Sequence, residues 1–156
     1  MPHPATLAAL LSLYKIDRDL HQLRVGLQNA QKDEKRQQER IDQTQVELTA
    51  QTLAHQKMQA DIVARELETR TRQEHIEKMR GSLNTTKTNK EYSAILVHIS
   101  AEKAEVAKME TASLEVMQQA ETLGKNIIAL QERLGSEQQA LAKIQAEHGD
   151  KVTALN

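Results

Sequence analysis

The chain has 156 residues, no Phe, Trp or Cys, and a formal net charge of −1 at pH 7. The lack of cysteine excludes a disulfide framework and a thiolate metal site, and the near-neutral charge indicates no particular class of partner. Ala, Leu, Glu, Gln, Lys and Arg dominate, which is typical of a long helix or a coiled coil. No apolar run approaches the ~18 residues needed to span a bilayer, so we expect a cytoplasmic protein.

Apolar residues repeat every seven residues along the first half of the chain. A repeat this strict and this long predicts a left-handed coiled coil. We predict helix 1 over residues 5–80, ended by Gly81 as the glycine that follows a helix C-terminus. One column of the repeat contains Leu13, Leu20, Leu27, Ile41, Leu48, Ile62, Ile76 and Leu83.

The same repeat continues in the second half, from Tyr92 to Leu155. Thr88 and Glu91 have the spacing of a capping box, so we predict that helix 2 covers residues 89–155. Gly135 and Ser136 interrupt this helix pattern. Because the repeat stays in phase across them, we favour a kink over a break.

The two helices meet at a short polar tip, residues 81–88. A connection of about seven residues favours an antiparallel arrangement, so the predicted fold is an all-α, antiparallel two-helix coiled-coil hairpin forming a single domain over residues 1–156. Two registers fit, with Leu83 facing either Tyr92 or Ile95.

In either register, the first turns of helix 1 lie beyond the end of helix 2. They carry an apolar stripe at helical spacing, and such a stripe needs a partner. We expect it to contact either a second copy of the chain, as in a homodimer, or a further C-terminal segment. The residues of this N-terminal stripe are Leu7, Leu10, Leu11 and Tyr14.

Several predicted core positions are polar, as occurs in coiled coils whose polar core residues specify register or partner. Arg65 and Arg72 could pair across the hairpin with Glu102, Glu105 or Glu110, or extend their charged ends to water. The other polar core positions are Glu34, Gln37, Gln51, His55 and His148.

Two passages resemble a bacterial family of coiled-coil hairpin proteins that carry a C-terminal zinc ribbon with four cysteines. The spacing of leucines from Leu7 to Leu23 is similar to the family's N-terminal pattern. The run Thr88-Asn89-Lys90-Glu91-Tyr92-Ser93-Ala94-Ile95 is similar to its hairpin-tip motif. The resemblance implies an elongated antiparallel hairpin and a role as a regulator, in some members of flagellar gene expression through the nitrogen-type sigma factor of RNA polymerase. One member type also binds messenger RNA.

The sequence departs from the family pattern in two places. It contains no cysteine, so we expect neither the zinc-ribbon domain nor its metal within these residues. In addition, Leu96-Val97-His98 stands where the family usually has polar residues, which makes the surface after Tyr92 more apolar.

The tip is the main candidate for a partner site. Lys78, Arg80, Lys87 and Lys90 make it locally basic, and loops on rigid scaffolds often have binding functions. A purely structural role is the alternative, since Glu91 suits a cap and Tyr92 and Ile95 suit the first core layer. The predicted partner-binding residues are Lys87, Asn89, Lys90, Glu91, Tyr92, Ile95 and Leu96.

We therefore predict a non-enzymatic protein-protein interaction module, an adaptor whose partner by resemblance is a sigma factor or a flagellar-export component. Two alternatives are an RNA-binding helical arm that contacts phosphates through the basic tip, and a passive spacer. RNA is the weaker partner because two tyrosines make no stacking platform. No phosphate loop, nucleophile motif or closely spaced histidine pair occurs, so we expect no catalytic residue, metal or cofactor.

Overall fold

The computed structural model describes residues 4–153, and it describes side chains over residues 6–153. The chain forms two helices, α1 (Pro4–Leu83) and α2 (Asn89–Thr153), and these long helices pack against each other as an all-α helical hairpin. No strand occurs in the described part of the chain. The predicted end of helix 2 at residue 155 lies outside that part. Neither helix contains a stretch, among the described residues, that is both long and apolar enough to cross a membrane.

The predicted seam positions are the ones the helices bury. Each of them from Leu23 to Leu83 in α1, and from Ile95 to His148 in α2, is buried or half-buried. This agreement follows from the seven-residue repeat, which keeps one side of each helix facing its neighbour. Tyr92 and Lys151, at the two ends of the α2 series, are exposed instead.

The contacts divide the hairpin into two compact units, a tip unit of residues 49–129 and a base unit whose described residues are 4–48 and 130–153. In the tip unit, Ile76, Ile99 and Val106 form a buried cluster, on which Met79, Leu83 and Ile95 pack. We call these six residues the tip core. Leu83 and Ile95 both pack on this cluster whereas Tyr92 is exposed, which favours the predicted register in which Leu83 faces Ile95.

The prediction that Gly81 ends α1 is wrong, because the helix continues through Gly81 to Leu83. No glycine in the described residues has a positive φ. Glycine costs about 1 kcal/mol in a helix, and burying about half of a leucine side chain stabilises by on the order of 1 kcal/mol. Placing the half-buried Leu83 on the tip core therefore offsets the preference of Gly81 for a helix end.

The base unit shows no break at Gly135. Helix α2 runs through Gly135 and Ser136, and the Ser136 hydroxyl donates to the carbonyl of Arg133 at 2.8 Å. Ser136 therefore bonds backward within the helix rather than capping a new one.

Candidate functional site

The tip turn is fixed by hydrogen bonds at the end of α1. The backbone amides of Asn84, Thr85 and Thr86 each donate to the carbonyl three residues earlier, at 3.1 to 3.5 Å. The hydroxyls of Thr85 and Thr86 both donate to the carbonyl of Ser82, at 3.0 and 2.8 Å. The last carbonyls of the helix are thereby satisfied without a left-handed residue.

Half of the predicted capping box is present at the start of α2. The amide of Glu91 donates to the Thr88 hydroxyl at 3.3 Å, and the amide of Tyr92 donates to the Thr88 carbonyl at 3.1 Å. The reciprocal bond, from the Thr88 amide to the Glu91 carboxylate, is not among the hydrogen bonds of the described residues. Thr88 is thus an N-cap, while the Glu91 side chain is exposed.

One face of the first two turns of α2 presents apolar surface. At ~100° per residue, Tyr92, Leu96 and Asn89 lie within about 60° of one another around the helix. Tyr92 is 45% exposed and Leu96 is 44% exposed. We call these three residues the tip face. Lys90 and Val97 lie about 100° further around the helix, and Val97 is 68% exposed.

Two predicted site residues do not belong to the tip face. Ile95 packs on the tip core with Leu83, so its side chain is occupied within the hairpin. By the helical spacing, Glu91 lies about 100° or more around α2 from each residue of the tip face. The sequence motif groups these residues because they are adjacent in the chain, and the helix then separates them.

Local charge at the tip is positive but weaker than the sequence suggests. Arg80 forms an ion pair with Glu77, Nη1 to Oε1 at 2.6 Å. Lys87 and Lys90 are exposed, and neither forms an ion pair with any described residue. These two lysines lie on the turn and the first turn of α2, and Lys78, near the end of α1, is a third exposed lysine that could contact a partner.

The N-terminal stripe (Leu7, Leu10, Leu11 and Tyr14) is exposed, as the predicted overhang requires. Every described side chain from residue 6 to residue 22 is exposed, and Leu23 is the first half-buried position. The exposed positions include Leu13, Ile16 and Leu20, which continue the seam columns of the hairpin. We call these three residues the seam extension.

A polar cluster occupies the seam of the base unit around Glu34. Gln145 donates to Oε1 of Glu34 at 3.0 Å, and Nδ1 of His148 lies 3.2 Å from Oε2. The hydrogen bond from Gln145, and after it the one from His148, lowers the pKa of the Glu34 carboxyl. Sequence reasoning identified Glu34 and His148 as polar seam positions but missed Gln145, which lies beside the seam.

A second polar cluster in the base unit surrounds Glu137. Thr44, only 1% exposed, donates to Oε2 of Glu137 at 2.8 Å, and Gln37 donates to the Glu137 backbone carbonyl at 3.0 Å. Arg133 donates to Oε1 at 2.9 Å. Burial raises the pKa of Glu137, but the hydrogen bonds from Arg133 and Thr44 more than offset it, so the net pKa is lowered.

The tip unit has its own polar seam position at Arg72. Its Nη1 donates to Oε2 of Glu102 at 3.1 Å, which is one of the predicted cross-hairpin pairs, and this bond raises the pKa of Arg72. Arg65, by contrast, forms no ion pair across the hairpin with any described residue. Arg65 pairs along its own helix with Asp61 at 2.8 Å, because Asp61 stands one turn earlier at the favourable four-residue spacing.

His55, one of the predicted polar seam positions, is half-buried in the tip unit. The imidazole of His55 lies over Gly124, with Nε2 3.5 Å from the point where a β-carbon would stand. No group of three or more His, Cys, Asp or Glu side chains that could hold a metal ion occurs within residues 6–153.

Comparisons of the chain with models of known protein families, with curated proteins and with solved structures give no match.

Proposed function

We propose that this chain is a non-enzymatic protein-interaction module of the cytoplasm, an adaptor or regulator that docks its tip face on a partner protein. The observation that supports this function most is the half-exposed pair Tyr92 and Leu96, four residues apart on one side of α2. Together with Val97 they form an apolar surface larger than a cap or turn requires.

The surroundings of the tip face suit docking. The Thr88 cap and the packing of Ile95 on the tip core hold the first turns of α2 in place, so little conformational entropy is lost on binding. Lys87 and Lys90 border the apolar surface. The complementary partner surface is an apolar patch edged by carboxylates.

The resemblance of residues 88–95 to the hairpin-tip motif of the zinc-ribbon family suggests which partners to test first. These are the nitrogen-type sigma factor of bacterial RNA polymerase and components of the flagellar export apparatus. Either one would make the chain a regulatory adaptor.

A capture experiment tests the proposal. The immobilised full chain is mixed with nuclease-treated bacterial extract, and separately with purified nitrogen-type sigma factor. The test variant is Leu96→Ser, and the matched control is Leu114→Ser, which removes an equally large and more exposed leucine from the same helix. We expect a protein that the wild type and the control retain and that Leu96→Ser loses at least tenfold. Equal retention by all three chains would contradict a docking role for the tip face.

The RNA-binding alternative gives a different result in the same system. Contacts from Lys87 and Lys90 to phosphates would weaken steeply with salt, and retention would disappear after nuclease treatment. A Lys87→Glu, Lys90→Glu variant would then lose binding while Leu96→Ser kept it. A passive spacer would tolerate all of these changes.

A further inference from the structure

The seam extension (Leu13, Ile16 and Leu20) is a coiled-coil seam that lacks a covering helix in the described part of the chain. Leu13 is 65% exposed and Ile16 is 58% exposed, whereas Leu27, in the column of Leu13, is half-buried. The contacts of Gln145 and His148 with the Glu34 carboxylate show the register of α1 against α2 in the base unit. Continuing that register places Thr153, the last described residue of α2, level with the turn around Gly26.

We propose that two copies of this chain pair antiparallel through their seam extensions. With a twofold axis between Tyr14 and Lys15, Leu13 of one copy lies opposite Ile16 of the other, and Leu20 lies opposite Ala9. Each column then faces the other column, so that apolar positions of the two copies meet along the pair. The seven-residue repeat thus makes this segment complementary to a second copy of itself.

The exposed area is that of a small, weak dimer interface. The seam extension, with Leu10 at its edge, offers four large apolar side chains per copy. At on the order of 100 Å² each, the pair buries about 800 Å² in total, so we expect a dimer that forms only at high protein concentration.

Charge does not oppose the pairing. Residues 6–22 contain the cations Lys15 and Arg18 and the anions Asp17 and Asp19. Arg18 already contacts Asp19 at 3.4 Å along its own helix. Two such segments therefore meet without net repulsion.

The seam extension and the N-terminal stripe lie on different sides of this segment, so substitutions can distinguish the proposed pairing from nonspecific hydrophobic association. Leu7 and Leu11, in the N-terminal stripe, lie more than about 100° around the helix from Leu13. They are as exposed as the seam extension but are outside the proposed interface. A pair of substitutions on each stripe therefore gives a matched comparison.

Sedimentation velocity of the full chain tests the pairing. We expect the wild type to dimerise, Leu13→Ser/Leu20→Ser to weaken dimerisation at least tenfold, and Leu7→Ser/Leu11→Ser to change it less than threefold. Circular dichroism confirms equal helicity in both variants. A wild-type monomer at the highest concentration, or equal weakening by both variants, overturns the proposal.

A distance measurement tests the orientation. The chain has no cysteine, so Lys32→Cys accepts a single spin label on an exposed position of the base unit. In the antiparallel pair the two labels are about 50 Å apart along the axis, at 1.5 Å per residue. A distance under about 25 Å would indicate parallel pairing and would overturn the proposal.

Discussion

Nδ1 of His148 on α2 lies 3.2 Å from Oε2 of Glu34 on α1, at two positions of a seam that is otherwise mainly apolar. Gln145 bonds the other Glu34 oxygen, so one carboxylate joins both helices of the base unit through two side chains. Polar seam contacts of this kind specify register, because a shift by one turn would leave the carboxylate unpaired.

This arrangement predicts acid sensitivity. The pKa of Glu34 is lowered in the folded chain, first by the Gln145 bond and then by the His148 bond, from an ordinary value of 4.5. Its stabilising contribution is therefore complete above pH 4.5 and is lost as pH falls through the lower folded value. We expect Tm to fall less between pH 6 and pH 3 in Glu34→Gln than in the wild type.

Thermal melts followed by circular dichroism measure that difference. Glu39→Gln, at an exposed position of the same helix, is the control and should follow the wild-type profile. Parallel profiles for Glu34→Gln and the wild type would show that the Glu34 contacts contribute nothing to the pH dependence.

The Thr88 cap is expected to stabilise the tip. The Thr88 hydroxyl accepts a hydrogen bond from the Glu91 amide, so Thr88→Ala should lower the free energy of unfolding by about 1 kcal/mol. Thr88→Ser keeps the oxygen and should remain within about 0.3 kcal/mol of the wild type. Urea unfolding provides the measurement, and an equal loss in both variants would argue against a capping role.

The tip core should be sensitive to cavities. Ile99 is 5% exposed, so Ile99→Ala should cost about 2–5 kcal/mol. Val97 lies two residues away and is mostly exposed, and Val97→Ala should cost less than about 0.5 kcal/mol. Urea midpoints that shift equally would contradict the assigned orientation of α2.

One buried hydroxyl is a site for stabilisation. Ser113 is 8% exposed, and its Oγ has no hydrogen-bond partner among the described residues. Removing an unsatisfied buried group and adding helix propensity should make Ser113→Ala more stable by about 1 kcal/mol. Ser100→Ala, exposed on the same helix, measures the propensity part alone. A Ser113→Ala gain no larger than that of Ser100→Ala would mean that the buried hydroxyl costs nothing.

The sequence predicts the seam and the start of α2 at Asn89 well, and the end of α1 poorly. A seven-residue repeat dictates which side of each helix is covered, so the positions from Leu23 to Leu83 were predictable. The end of α1 depended on a competition between Gly81 and the burial of Leu83, which only the tip core reveals. At Gly135, by contrast, the in-phase repeat argued against a break, and α2 runs through that residue.

Some features of the tip were also predictable from the sequence, and others were not. The spacing of Thr88 and Glu91 predicted the hydrogen bond from the Glu91 amide to the Thr88 hydroxyl. The apolar residues Leu96 and Val97 predicted the exposed apolar surface after Tyr92. Glu91 and Ile95 lie on other faces of α2 than Tyr92, because residues adjacent in sequence point in different directions around a helix. The sequence left the partner of Arg65 open, and in the structure this side chain pairs with Asp61 on its own helix.

Site-specific photo-crosslinking in bacterial cells tests the central claim, that the tip face docks on a protein, most directly. A photoreactive phenylalanine analogue replaces Leu96 in one full-length chain and Leu114 in another, since both positions are exposed on α2 of the tip unit. The account predicts a discrete nuclease-resistant protein adduct from position 96 that is absent from position 114. Identical adducts from both positions, or an adduct from position 96 that nuclease removes, would contradict it.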